Sequence, residues 1–247
     1  MKDYEAQTYG DRIAGVYDEL YGTLFDVDAT VSLLAELAAD GPALELAIGT
    51  GRIALPLKDR GVDVTGIDAS EAMIAELRAK LGGDDIAVVM GDFADVDVEG
   101  RFKLVFVVFN TLFALTTQDD QMRCFTNVAE HLADDGVFVV EAFVPDATRF
   151  TRHQTTGVDN LDSDSVRLEA SRHDPVNQRV DSQHIHFRRG EPVEMYPVSI
   201  RYAYPSELDL MARLAGLRLR DRWGGWHKEP FTSESKFHVS VYERARS

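Results

Sequence analysis

The stretch ELAIGTGRIALPL, residues 45–57, decides the fold. An acidic residue enters a short apolar run, two glycines flank a threonine, and a helix-like pattern follows. A strand that turns sharply into a helix through glycines brings backbone N–H groups close to a ligand. Outward from this turn the chain alternates. Apolar runs at 43–48, 62–67, 86–90, 103–109 and 136–143 read as buried strands, with helical patterns at about 52–60, 70–81 and 119–133 between them. Nearly continuous apolar strands separated by helices imply a parallel sheet covered on both faces.

Two segments precede the glycine turn. DRIAGVYDELYGTLF at 11–25 is aromatic and partly amphipathic, and DATVSLLAELAAD at 28–40 has helical spacing. From about residue 150 the pattern changes to polar–apolar alternation, with turn signals at DPVN and RRGE. That predicts an antiparallel meander with one solvated face. A helix opening at Pro205 and closing before Gly216 follows, then strands at about 217–223 and 236–243. The expected organisation is an amino-terminal helical cap (1–40), a ligand-binding core (41–149), a β insertion (150–202) and a segment completing the core sheet (203–247).

Composition narrows the partners. The chain has 247 residues, 45% of them hydrophobic, enough for one sizeable core. A formal net charge of −16 would repel a phosphate backbone and an anionic bilayer, so neither nucleic acid nor membrane is expected. One cysteine, Cys124, excludes an intramolecular disulfide and a thiolate metal cluster. The first ten residues carry no apolar signal segment, and LVFVVF at 104–109 is too short to span a bilayer, so a soluble, cytoplasmic protein is expected.

GTGRIA at 49–54 fits G-x-G-x-x-A, so a dinucleotide must be weighed against an adenosyl ligand. Asp68, ending the next strand in VTGIDAS, suits a ribose diol in either. Two features favour the adenosyl ligand. About 40 residues precede the first strand, where a dinucleotide fold usually begins, and Gly91-Asp92-Phe93 ends the third strand. A carboxylate there accepts from an adenine amino group while the phenyl ring flanks the base. The Tyr-x-x-x-Lys pairing of short-chain dehydrogenases is missing. A non-catalytic adenosyl-binding protein stays open as a third reading.

Taken together, ELAIGTGRIALPL, GIDASEAMIAEL, GDFADV, FKLVFVVFNTLFAL and LADDGVFVVEAF resemble the ordered motifs of class I S-adenosylmethionine-dependent methyltransferases over residues 41–145. The flanks YGDRIAGVYDELY and IRYAYPSELDLMARLAGLRLRDRWGGWHKEPF are similar to small-molecule N-methyltransferases of actinomycete antibiotic pathways, of amino-sugar and lincosamide type. The resemblance implies a Rossmann-like, seven-stranded, mostly parallel sheet with an antiparallel last strand. It implies S-adenosyl-L-methionine as donor and a small-molecule acceptor methylated on nitrogen, with O-methylation as the alternative.

Mapped onto that family, Glu45 orients the glycine loop or the donor's amino group, and Ala47, Gly49, Thr50 and Gly51 line its methionine and ribose side. Ala47 stands where the family's first glycine is usual. Asp68 takes the ribose hydroxyls, Ala69 and Met73 lie against the adenine, Asp92 and Phe93 hold its edge and face, and Asn110 sits beside the sulfonium. Phe113 is grouped with Asn110 at the reacting centre; Tyr21, Phe143 and Trp226 are assigned to the acceptor.

The amino-terminal aromatics Tyr4, Tyr9, Tyr17, Tyr21 and Phe25 read equally as core or as pocket cover. Tyr9 and Tyr17 stand eight residues apart, so both face one side if that stretch is helical. They are expected to cover the donor and touch the acceptor. HIH at 184–186 puts two imidazoles on one strand face, expected to be the solvated face rather than a zinc site. WGGW at 223–226 reads as either a packed turn or an acceptor contact. The meander at 150–202 is expected to act as a lid or a homo-oligomer contact.

Overall fold

The apolar runs become the parallel strands β1 (Ala43–Leu46), β2 (Val64–Asp68), β3 (Ala87–Met90), β4 (Phe102–Val107) and β5 (Leu132–Phe143) of a computed structural model that describes residues 1–22, 26–95 and 97–245. Phe25, one of the amino-terminal aromatics, lies outside the described residues. Helices α1 (Thr8–Tyr21) and α2 (Val27–Ala38) precede the sheet, and α3 (Ala54–Asp59), α4 (Glu71–Arg78) and α5 (Gln118–His131) connect its strands. Their starts follow local chemistry. Asp26, Ser70 and Thr117 cap α2, α4 and α5 by accepting the backbone N–H three residues on. Among the described residues no side chain caps α1, which starts three residues before the stretch read as helical.

After β5 come four antiparallel strands, β6 (Gln154–Leu161), β7 (Ser165–Asp174), β8 (Arg179–Arg188) and β9 (Glu194–Arg201). Helix α6 (Pro205–Leu214) follows with Pro205 in its first turn, and Gly216 takes φ 77° just past its end. Strands β10 (Leu217–Trp223) and β11 (Phe237–Arg244) close the main sheet, whose order is β10-β11-β5-β4-β1-β2-β3. The last strand, β11, is antiparallel to both neighbours. Strand order reverses between β1 and β4, and ligands of open α/β sheets bind at the carboxyl ends of such a pair.

Large buried side chains fill both faces of the main sheet, Phe106 and Val139 on one and Phe125, Phe138 and Tyr242 on the other. The smaller sheet inverts the usual alternation. Its polar row, with Glu169, Ser182 and His184, faces the interior of the molecule. A cross-strand row of apolar residues, Val158, Leu168, Ile185 and Met195, lies on the opposite face. Val158 is 61% and Met195 51% exposed. This corrects the reading of HIH. His186 is buried with its ring edge-on to Tyr196, and His184 is half-buried on the inner side, because that face has a cavity to line.

Candidate active site

A cavity of about 1210 Å³ opens at the carboxyl ends of β1 and β4, between α1 and the inner face of the smaller sheet. Its floor is the glycine turn. Ala47 and Gly49 leave β1 with φ 57° and 56°, so the alanine holds a left-handed backbone that glycine adopts more readily. Asp68 locks the turn to the end of β2. Its Oδ2 accepts from Gly49 N at 2.7 Å and its Oδ1 from Ser70 N at 2.8 Å. Burial raises the Asp68 pKa, against the lowering effect of these N–H donors.

Glu45 lies beneath the turn, 4% exposed and lining the cavity. Burial raises its pKa well above the usual carboxylate value, although the Arg52 guanidinium pulls the other way. Among the described residues its Oε2 has no hydrogen-bond partner. A buried carboxylate oxygen left unmatched beside a cavity fits a cationic ligand group. Farther along the wall, Asp92 reaches the opening beside the half-core ring of Phe93, with Ala69 and Met73 on the same side. A carboxylate beneath the loop, one at the end of β2 and one after β3 form a set of acceptors suited to an amino acid joined to a nucleoside.

Helix α1 covers this floor at close range. A Cβ added to Gly10 would stand 2.6 Å from Ser70 Cβ, so glycine is what lets the helix approach. Ser70 Oγ donates to Asp11 Oδ1 at 2.6 Å, Thr50 Oγ1 donates to Asp18 Oδ1 at 2.7 Å, and Lys80 pairs with Asp18 at 2.5 Å. The helix thereby presents Tyr9, Tyr17 and Tyr21 to the cavity. Tyr9 and Tyr21 hydroxyls lie 3.3 Å apart, and the Tyr21 ring packs on Tyr17 and on Phe109. Burial raises the Tyr9 pKa well above its ordinary value and pushes Tyr17 up to about 12. Both therefore stay neutral at physiological pH.

After β4 the backbone takes two consecutive left-handed residues, Phe109 and Asn110, with φ 64° and 63°. For a bulky residue this conformation is a genuine outlier, and three bonds hold it. Phe109 N donates to Glu141 Oε2 at 2.5 Å, Asn110 N to Glu141 O at 3.2 Å, and Phe143 N to Asn110 Oδ1 at 2.6 Å. The arrangement turns Asn110 and Phe143 into the cavity wall.

The cavity thus gathers Tyr9, Tyr17, Tyr21, Glu45, Ala47, Gly49, Thr50, Asp68, Ala69, Met73, Asp92, Phe93, Asn110 and Phe143. Three other expected residues do not line it. Gly51 is a packing glycine, since a Cβ there would lie 2.3 Å from Leu77 Cδ1. Phe113 is wholly buried behind Phe143, ring centroids 5.0 Å apart. Trp226 packs against the core, so WGGW is a packed turn. Sequence reasoning missed Gly10, Asp11, Asp18, Arg52, Phe109 and Glu169. Only the two aspartates carried a signal, seven residues apart on one helix face.

Among the described residues no group of three or more His, Cys, Asp or Glu side chains is placed to hold a metal ion. No helix of the described chain is long and apolar enough to cross a membrane.

Residues 43–136 match the family described as a methyltransferase domain. Among solved structures, the CcbJ methyltransferase from Streptomyces caelestis is 42% identical, with a TM-score of 0.92 over 98% of this chain and 100% of that one. The cypemycin N-terminal methyltransferase of a Streptomyces species is 27% identical over 93% of this chain and 98% of its own. The dTDP-3-amino-3,4,6-trideoxy-alpha-D-glucopyranose N,N-dimethyltransferase of Streptomyces venezuelae is 31% identical over 52% of this chain and 56% of its own.

Proposed function

This chain belongs to the S-adenosylmethionine-dependent methyltransferases, and we propose that it methylates an amine nitrogen of a small-molecule acceptor. One relative is named as the cypemycin N-terminal methyltransferase and another as an N,N-dimethyltransferase of a dTDP-linked amino sugar, and both come from Streptomyces. The observation that carries the reading is the cavity itself. Tyr9, Tyr21, Phe109 and Phe143 surround the space above the glycine turn. Aromatic faces attract cations, as the Arg52 guanidinium 5.0 Å over the Phe109 ring already illustrates, and burial keeps the Tyr9 and Tyr21 hydroxyls neutral beside them.

Bound S-adenosylmethionine supplies an electrophilic methyl on a sulfonium, with a neutral thioether as leaving group. In our reading Asp68 takes the ribose diol, Asp92 and Phe93 the adenine, and Glu45 the donor's amino group. Ala69 and Met73 pack against the base, while Thr50 fixes α1 through Asp18. Helix α1 excludes water, and Asn110, held by Phe143 N, fixes the wall beside the reacting centre. Alignment and desolvation supply the rate, so no protein nucleophile is needed. The Tyr9 and Tyr21 hydroxyls orient the acceptor, whose amine loses its proton to water before attack.

The smaller sheet roofs the acceptor space, and its outward apolar row is the face we assign to a homo-oligomer contact. Nucleic acid has no place in this reading, given the net charge of −16. A single buried cysteine suits a reducing cytoplasm. The test is S-adenosylhomocysteine formation with amines and with the same compounds N-acetylated. Turnover confined to free amines is expected; equal turnover of the acetylated set rejects N-methylation.

A further inference from the structure

The acceptor half of the cavity has a charge pattern that donor binding does not require. Away from the glycine turn its described wall holds five carboxylates, Glu5, Asp120, Asp146, Glu169 and Glu234, of which Asp120 is paired with Arg123 at 2.7 Å. Two permanent cations, Arg149 and Lys236, face them. Arg149 is already engaged, its Nη2 lying 3.2 Å from Glu169 Oε1.

Glu169 is built into the roof. Ser171 Oγ donates to its Oε1 at 2.5 Å and Ser182 Oγ at 3.1 Å, and its side chain is 21% exposed. Directly across the strand pair stands His184, whose Nδ1 lies 3.5 Å from Asp159 Oδ2. Burial pushes the Glu169 pKa up, but the Ser171 hydroxyl, Arg149 and His184 outweigh it, so the carboxyl stays below its ordinary value. A carboxylate fixed by two hydroxyls, and paired on one side with the half-exposed Arg149, lines the cavity as a preorganised anion.

Such a wall, anionic between aromatic faces, attracts ammonium groups and repels phosphates. A nucleoside diphosphate would need paired cations or a row of backbone donors. The acceptor half offers Lys236 and an arginine already paired. We propose that the acceptor is a phosphate-free cationic amine and that Glu169 is the residue that selects it. The proposal rests on the amine reading above. It separates this chain from the Streptomyces venezuelae relative, whose name specifies a dTDP-linked amino sugar.

The test is calorimetry on the full chain saturated with S-adenosylhomocysteine. The probes are N-methylbenzylamine, its neutral counterpart benzyl alcohol, and dTDP. N-methylbenzylamine should bind about tenfold or more tightly than dTDP. Glu169→Gln, which keeps the acceptor oxygen for both serines, should weaken the amine about tenfold and leave benzyl alcohol and S-adenosylhomocysteine unchanged. Glu169→Asp, which keeps the charge, should retain most of the amine affinity.

Three results overturn the proposal: dTDP binding as tightly as the amine, no detectable amine binding, or an amine affinity indifferent to Glu169→Gln. The two readings fail separately. Methylation of amines with Glu169-independent binding leaves N-methylation standing, whereas Glu169-dependent amine binding with methyl transfer only to hydroxyls removes it.

Discussion

Gly10→Ala and Gly15→Ala differ by five residues on one helix, yet the structure gives them opposite outcomes. A methyl at Gly15 meets nothing within 4 Å among the described residues. A methyl at Gly10 meets Ser70 Cβ at 2.6 Å, Ser70 Oγ at 2.8 Å and Met73 Cγ at 3.2 Å. Gly15→Ala should therefore stabilise α1 by about 0.5–1 kcal/mol, the usual gain in a helix interior. Gly10→Ala gains less in propensity, because it sits in the first turn, and adds overpacking of about 1–3 kcal/mol. The gap between the variants is then about 1–4 kcal/mol, most of it borne by the docking of α1. Pushing α1 outward strains the bonds from Ser70 to Asp11 and from Thr50 to Asp18, and it opens the donor floor to water. Thermal melts, hydrogen exchange of the α1 amides and the KM for S-adenosylmethionine read these effects. Gly10→Ala should speed exchange in α1 and raise the KM severalfold, while Gly15→Ala should do neither. Identical behaviour of the two variants would refute the close seating of α1 on the donor site.

Asp68→Ala removes two N–H···carboxylate bonds as well as the assigned ribose contact. It should weaken donor binding by about 1.5–3 kcal/mol in calorimetry; unchanged affinity in a folded variant removes Asp68 from the site. Glu45 gives a pH signature. Its raised pKa keeps the free carboxyl protonated above the ordinary carboxylate range, and a cationic donor favours the ionised form. Donor affinity should therefore rise with pH through that raised pKa and level off above it, with proton release on binding. Glu45→Gln should flatten the profile, and a flat wild-type profile counts against the assignment. Tyr9→Phe breaks the hydroxyl pair with Tyr21 and should lower turnover about tenfold at little cost in donor KM; wild-type turnover would reduce Tyr9 to packing.

The core sheet was legible because its strands are nearly continuous apolar runs that no helix of similar length would bury as well. The glycine turn, Asp68 and Asp92 were legible for a related reason: each ends a strand, where the period breaks. What escaped reading depends on contacts distant in sequence. Nothing around Gly10 announces that Ser70 will stand 2.6 Å from its missing Cβ. Phe109 takes its left-handed backbone because Glu141, 32 residues on, holds its N–H. Trp226 packs against the core beside strands distant in sequence instead of lining the cavity. The smaller sheet misled for a physical reason. Alternation shows that two faces differ, and the polar face was assigned to solvent. Here the polar face lines a cavity, and Glu169 and His184 look inward.

Transfer of a ¹³C-labelled methyl from S-adenosylmethionine tests the central claim most directly. The full chain would be incubated with labelled donor and an amine-rich extract of a Streptomyces culture, and the new methyl carbon read by NMR after removal of unlabelled material. The account predicts one signal in the N-methyl region, lost with Asp68→Ala and strongly reduced with Tyr9→Phe. A labelled methyl appearing only in the O-methyl region, in the presence of free amines, would contradict it.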